Sequence, residues 1–218
     1  MILPTELEGL QIRCKQVATM KIWTQQKLAF WEELESNGVA YCNEESWTYK
    51  AFDFAYDWLV EQMHTRLSAP PMPEIKLPLW GWVQYKNYKC RKPTFSPYKD
   101  ENGYYPQVLI EAEIPDELLL QSNFCLWESC CINGFEIGDT LNKDIEQFDA
   151  THNISERGFR AYPDELKQRI MKSWVSIFDL DYSNRRYHNR PRRNTPIQAT
   201  FWLLHKEWVK DVRFFIPK

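Results

Sequence analysis

Two carboxylates separated by one residue are the first candidates for chemistry in this sequence. Glu111 and Glu113, in the segment IEAEIPDE, would point to the same side of a β-strand. Such a pair can act as general acid and general base. Val108, Ile110 and Ala112, which alternate with the glutamates, are apolar. A strand with one face on the core and the other in water is expected to show the same alternation of apolar and polar residues. The sequence therefore leaves a catalytic pair and a solvated face as alternatives.

An arginine-rich segment, NRRYHNRPRRN at 184–194, is the second candidate. Guanidinium groups bind phosphates, and the aromatic rings between them could stack on a base. A charge run is also typical of a solvated surface loop, so nucleic-acid or phosphate binding is one of two interpretations. The candidate residues are Arg185, Arg186, Arg190, Arg192 and Arg193.

Three polar residues, Thr24, Gln25 and Gln26, lie where the pattern changes from strand to helix. Side chains that bind ligands are common at such a joint. The alternative is that Thr24 or Gln25 caps the helix that is predicted to begin near Lys27. The segment thus predicts either a binding position or a helix cap.

The common catalytic and cofactor motifs are absent from the sequence. It contains no Gly-x-Ser-x-Gly, no His-Glu-x-x-His, no Gly-x-Gly-x-x-Gly and no P-loop. The 4 histidines are scattered and the 6 cysteines show no metal-type spacing. We therefore expect no metal site, and thiols that are reduced in a cytoplasmic protein.

Hydrophobic periodicity predicts the elements that must position these candidates. A helix follows the first strand and ends at Gly38, another carries a stripe from Phe52 to Leu67, a third is capped by Ser122, and a fourth begins at Pro163. Residues 134–160 are expected to be irregular, and 79–114 to form an antiparallel pair with a long loop. The predicted strands are 21–24, 79–89, 107–114, 197–204 and 212–216.

Length and charge limit the class of protein. The chain has 218 residues, 27 basic and 30 acidic, with a net charge of −3, so no overall field attracts nucleic acid or a membrane. Neither a membrane span nor a secretory signal is expected. The sequence predicts an extension at 1–19 and one α+β domain at 20–218, with a mainly antiparallel or mixed sheet flanked by helices.

Several spaced motifs resemble an uncharacterised bacterial family that is known only as a domain of unknown function. The resemblance covers about residues 20–216 and implies no established activity. The motifs are IWTQQ, FAYDWLVEQM, PLWGWVQY, IEAEIPDELLLQSNF, SWVSIFD and IQATFWLL.

The beginning and end of the chain resemble, more remotely, the ADP-ribosyltransferase-like fold. Members often open with a strand that bears a polar residue and a helix closed by glycine, and they end with a strand that starts at a catalytic glutamate. By position, Thr24 and Gln25 would bind the cofactor, and Gln198 stands where the glutamate is expected. The resemblance implies NAD as a substrate and no structural cofactor.

The resemblance also implies roles for the aromatic strand and for the carboxylates. Trp80, Trp82 or Tyr85 would stack on nicotinamide. Gln198 keeps a hydrogen bond but supplies no charge, so Glu111 or Glu113 would have to supply it, or the domain binds without chemistry. The alternative function is a non-catalytic nucleic-acid or protein-interaction module that uses 184–194 and surface aromatics. The sequence leaves the oligomeric state open.

Overall fold

The computed structural model describes residues 18–42, 52–138, 143–152, 158–183 and 190–217. Most of the predicted extension at 1–19 and two of the candidate arginines, Arg185 and Arg186, lie outside these residues. Within them, the first strand begins at Thr19, and Ala18 accepts a hydrogen bond from the Asp116 N–H at 3.0 Å.

Antiparallel strands form the centre of the described fold. The strands are β1 (Thr19–Lys27), β2 (Val39–Tyr41), β3 (Leu79–Gln84), β4 (Lys99–Asp100), β5 (Gly103–Tyr104), β6 (Gln107–Pro115), β7 (Leu120–Asn123), β8 (Ile197–Phe201), β9 (Leu203–His205) and β10 (Val209–Phe215). Six of them make one sheet in the order β10-β6-β1-β3-β8-β7, while β2 pairs with β9 and β4 with β5. The predicted α+β class with an antiparallel sheet is confirmed. The predicted strand 197–204 is divided, because its last two residues belong to β9, outside the large sheet.

Helices cover both faces of the large sheet. Gly38 ends the first of them as predicted, with a φ of 74° and its N–H donating to Leu34 O. No helix in the described part of the chain is long and apolar enough to cross a membrane. The helices are α1 (Leu28–Asn37), α2 (Asp53–Arg66), α3 (Phe124–Leu126), which continues as a wider helical turn to Cys131, α4 (Lys143–His152) and α5 (Asp164–Ser173).

The predicted pairing of 79–89 with 107–114 is wrong, because β1 lies between β3 and β6. β1 pairs with β6 along its whole length, from Thr19 opposite Pro115 to Lys27 opposite Gln107. The long connection after β3 can pass a neighbouring strand, so sequence order alone does not decide which strands pair. β1 thereby becomes a central strand, with a pairing neighbour on each side.

Two helix boundaries also differ from the prediction. Ser122 lies in β7, and Asn123 caps α3 instead, since its Oδ1 accepts the Leu126 N–H at 3.3 Å. Residues 134–160, which were expected to be irregular, contain α4. Its apolar contribution is small, because Ile145 and Phe148 are the α4 side chains that pack against the aromatic core among the described residues.

The cap hypothesis for Thr24 and Gln25 is wrong as well. Both residues lie inside β1, which continues to Lys27 because β6 pairs with it there. α1 begins at Leu28, whose N–H donates to Pro106 O at 3.0 Å, and no side chain caps the helix. Helix capping therefore does not explain why polar residues lie at the end of β1.

A row of opposed residues crosses one face of the large sheet. Ser122 lies opposite Gln198, Gln198 opposite Trp82, Trp82 opposite Trp23, and Trp23 opposite Glu111. Directly opposed residues in antiparallel strands share a face. The reverse face of β1 and β6 carries fully buried Ile22, Val108, Ile110, Ala112 and Ile114, which pack with Leu34 of α1.

Candidate ligand-binding cavity

A cavity of about 560 Å³ lies over this row, at the end of β1 and the beginning of β3. Cavities of this size accommodate small-molecule ligands and cofactors. α1, α2 and the turn that contains α3 complete the wall. The aromatic residues of the wall are Trp23, Phe30, Tyr41, Tyr56, Trp80, Trp82, Tyr98, Phe124 and Trp127.

Thr24 holds β1 and β3 together beneath the cavity. The two strands pair at Trp23 and Trp82, and beyond that point the Thr24 hydroxyl donates to Trp80 O at 2.7 Å. Gln26 Nε2 donates to Thr24 Oγ1, also at 2.7 Å. Thr24 is 1% exposed and is not part of the wall. Its hydrogen bond joins the two strands where the backbone pairing has ended.

Two hydrogen-bond donors at the cavity lack partners among the described residues. They are Gln198 Nε2 and Trp80 Nε1, and both residues belong to the wall. Gln198 is 6% exposed. A buried donor without a partner costs about 1–3 kcal/mol, so these atoms are satisfied best by an acceptor that enters the cavity.

Charged side chains are few in the wall. Among the described residues, Lys27 is the single cation there, beside the carboxylates of Glu33 and Glu128. Within the same residues no group of His, Cys, Asp or Glu side chains could hold a metal ion. The wall therefore favours a flat, mainly uncharged ring, with Lys27 as the group that could contact an anion.

A segment that carries Tyr98 lies at the cavity and is fixed by Gln107. Gln107, at 1% exposure, donates from Nε2 to Tyr98 O and accepts at Oε1 from Tyr98 N–H and from Gln25 Nε2. Gln25 also donates to Ser96 O at 3.0 Å. The Gln25 side chain thus lines the cavity and anchors one of its borders at the same time.

Gln107→Leu is expected to loosen the segment around Tyr98. Leucine fills similar space but forms none of the four hydrogen bonds that the side-chain amide of Gln107 makes. We expect a loss of about 1–2 kcal/mol in unfolding free energy and faster exchange of the Tyr98 amide proton. Gln121→Leu, on the edge strand β7, is the control. Equal exchange in both variants would contradict the anchoring role.

Glu111 lies outside the cavity wall, in a cluster of cations. Its carboxylate accepts hydrogen bonds from Lys21 at 2.7 Å, Trp23 Nε1 at 2.7 Å and Lys92 at 3.1 Å. Burial alone would raise the pKa of the Glu111 carboxyl, but these three hydrogen bonds outweigh it and lower the pKa to about 2. The group is a fixed anion that orients the Trp23 indole at the cavity.

Glu113 and Tyr85 do not line the cavity. Glu113 faces Lys210 at 3.6 Å in an exposed ion pair. The Tyr85 ring packs edge-on against Trp82, with 5.1 Å between centroids. The structure thus places Gln25, Trp80, Trp82 and Gln198 together in the cavity wall, and Thr24, Tyr85, Glu111 and Glu113 outside it.

The described arginines of the basic segment are separate from the cavity. Arg190, Arg192 and Arg193 are exposed and do not belong to its wall. Their backbone instead contacts the turn that follows β3, since Tyr88 N–H donates to Arg193 O at 2.8 Å. The two groups of candidates therefore belong to different surfaces.

Sequence reasoning missed several residues of the wall. Tyr56 and Trp127 read as core residues of helices, which they also are, since their rings lie 5.2 Å apart in the aromatic core. Trp23 and Lys27 carried no signal beyond their positions near the polar joint. A helical stripe shows that a ring is buried, but it does not show that a cavity lies beside it.

Comparison with known proteins gives a family and no activity. No curated protein and no solved structure matches the chain. One family model matches residues 21–210, which include the whole cavity wall and the large sheet except Thr19 and Met20 of β1 and residues 211–215 of β10. The chain belongs to the family described as "Domain of unknown function (DUF3841)".

Proposed function

We propose that this domain binds NAD or a related nucleotide in the cavity, as an ADP-ribosyltransferase-like domain. The observation that carries the proposal is the unpartnered Gln198 Nε2 inside an aromatic cavity of about 560 Å³. Flat heteroaromatic rings stack well on tryptophan and tyrosine, and the amide donor requires an acceptor on the ring or its substituent.

Nicotinamide meets both requirements. Its ring would lie against Trp82, which is opposite Gln198 in the sheet. Its carboxamide oxygen would accept a hydrogen bond from Gln198 Nε2, and Trp80 Nε1 offers a second donor. Lys27, the cation of the described wall, would contact a phosphate.

The residues around the ring favour binding over fast chemistry. Transfer of ADP-ribose develops positive charge on the ribose, which a carboxylate would stabilise. Gln198 is neutral, and both oxygens of Glu111 are occupied by hydrogen bonds outside the wall. We therefore propose a degenerate member, whose turnover is slow or absent. Removing one well-placed electrostatic group costs about 10²–10³ in rate.

A cytoplasmic location belongs to the same proposal. Cys90, Cys125 and Cys131 are thiols and take part in no disulfide. Burial raises the pKa of the Cys131 thiol well above its ordinary value, so this group stays protonated and unreactive. Free thiols are the usual state in a reducing compartment.

Thermal unfolding with NAD tests the proposal. Ligand at about one hundred times its dissociation constant stabilises the folded state by about 2.7 kcal/mol. In a domain of this size, the melting temperature should rise by roughly 5–10 °C. Gln198→Ala and Trp82→Ala should each reduce the rise without unfolding the protein.

Tyr104→Ala is the control, because Tyr104 is an exposed aromatic residue that does not line the cavity. It should leave the rise with NAD unchanged. ADP-ribose, nicotinamide and AMP, tested separately, show which half of the nucleotide the cavity holds. An unchanged melting temperature with NAD and with all three fragments would reject the proposed site.

A further inference from the structure

We propose that two neighbouring basic turns form a surface that binds single-stranded nucleic acid. The turns are residues 85–91, which follow β3, and residues 190–194, which precede β8. We call them together the two-turn surface. The proposal does not depend on the cavity, because none of these residues belongs to the cavity wall.

Backbone hydrogen bonds hold the two turns side by side. Gln84 is 7% exposed, and its Nε2 lies within 2.7–3.2 Å of the carbonyl oxygens of Arg192, Arg193 and Thr195. Tyr88 N–H donates to Arg193 O at 2.8 Å. These bonds use main-chain oxygens of the second turn, so the arginine side chains there remain available to a partner.

The first turn is rigid in its own right. Tyr85 N–H donates to Arg91 O at 2.9 Å, and Lys86 N–H donates to Cys90 O at 3.1 Å. Asn87 Oδ1 accepts from Lys89 N–H and Cys90 N–H and closes the turn. A preorganised turn loses little conformational entropy when it binds.

Positive charge is concentrated on this surface and is not neutralised within the described residues. The whole chain has a net charge of −3, so the surface is a local exception. Among the residues that the structure describes, none of its cations forms an ion pair with a carboxylate. Unpaired cations favour a polyanion, because binding releases its condensed counterions. The cations are Lys86, Lys89, Arg91, Arg190, Arg192 and Arg193.

Exposed tyrosine rings on this surface favour a single-stranded nucleic acid over other polyanions. Tyr88 is 52% exposed, and Lys89 Nζ lies 5.6 Å from the centre of its ring. Lys86 lies at the same distance from the Tyr85 ring. Unstacked bases can stack on such rings while the neighbouring cations contact phosphates, whereas a duplex hides the faces of its bases.

Charge reversal tests the phosphate contacts. The probe is a fluorescein-labelled oligothymidylate of about 20 nucleotides, with the matching oligouridylate in parallel, titrated by anisotropy at about 50 mM salt. We expect Arg192→Glu/Arg193→Glu to weaken binding at least about ten-fold. We also expect the slope of log K against log salt to become shallower by about 1.4, at about 0.7 per lost phosphate contact.

Lys172→Glu/Lys206→Glu is the matched control, because it changes the net charge equally at exposed positions on α5 and next to β9. It should bind within about two-fold of the wild type. Equal loss in both double variants would show a general charge effect and would overturn the proposed surface. Absence of binding by the wild-type protein at low salt would overturn it as well.

Tyr88 tests the preference for a single strand. Stacking contributes about 1–3 kcal/mol per base, so Tyr88→Ala should weaken binding about five-fold or more, whereas Tyr88→Phe should keep it. The wild type should bind the labelled duplex of the same length more weakly than the single strand. Tight duplex binding together with an unaffected Tyr88→Ala variant would show that only phosphates are contacted and would overturn the single-strand proposal.

Discussion

Gln198→Glu is expected to lower the free energy of unfolding by about 3–4 kcal/mol at pH 7 and by about 1 kcal/mol at pH 5. Gln198 is 6% exposed, and its neighbours across the sheet, Trp82 and Ser122, carry no charge. A carboxylate at this position would lose its hydration without gaining a partner, so the group would take up a proton. Holding that proton costs about 1.36 kcal/mol for each pH unit above the ordinary glutamate pKa of about 4.3.

The sign of the pH effect follows from this raised pKa in the folded state. The penalty is small near the pKa of the unfolded chain and grows as the pH rises above it, until the folded-state pKa is reached. Gln168→Glu introduces the same change on an exposed face of α5 and should leave stability within about 0.5 kcal/mol. Equal stability of both variants at pH 7 would show that position 198 is solvated.

Ligand binding shows whether position 198 contacts the nicotinamide ring, which the loss of stability alone does not show. Oxidised NAD carries a positive charge on the nicotinamide ring, and reduced NAD does not. If the ring lies beside position 198, oxidised NAD should raise the melting temperature of Gln198→Glu more than that of the wild type, and reduced NAD should not. The positive ring would lower the pKa of the introduced carboxyl group and so favour the carboxylate in the complex. The same variant should then hydrolyse NAD faster than the wild type, because this carboxylate stabilises the developing charge. Equal rises with both forms of NAD would contradict the placement of the ring.

The sheet could be predicted from the sequence, whereas its strand order could not. Alternation in 107–114 and the apolar 197–201 segment give strands directly, and both are present as β6 and β8. The neighbour of β6 is β1, however, and the choice between β1 and β3 depends on contacts between segments that are distant in sequence. Local periodicity contains no information on that choice.

Some residues of the cavity wall could be predicted from the sequence, but their contacts could not. Gln198 and Trp82 are candidates by their positions in a remote resemblance, and they lie opposite each other in the sheet. Glu111 is a candidate by its residue type, but its environment of Lys21 and Lys92 comes from elements distant in sequence. Residue type and spacing locate a polar group on a strand, but contacts between distant segments decide whether that group faces a cavity or an ion pair.

Glu111→Gln is expected to lower the free energy of unfolding by about 3 kcal/mol at pH 7 and by about half as much at pH 3. The pKa of the Glu111 carboxyl is lowered from its ordinary value to about 2 by hydrogen bonds from Lys21, Trp23 and Lys92, which outweigh the effect of burial. A lowered pKa in the folded state contributes stability above the unfolded-state pKa, and this contribution is lost as the pH falls towards 2. Urea unfolding at pH 7, 5 and 3 measures the difference.

Glu113→Gln is the matched control on the same strand and the same face. The Glu113 side chain is 40% exposed and lies 3.6 Å from Lys210, so its removal should cost less than about 1 kcal/mol. Equal losses for the two variants would contradict the buried network around Glu111. Because the Glu111 carboxylate holds the Trp23 indole, its variant should also weaken NAD binding, while Glu113→Gln should not.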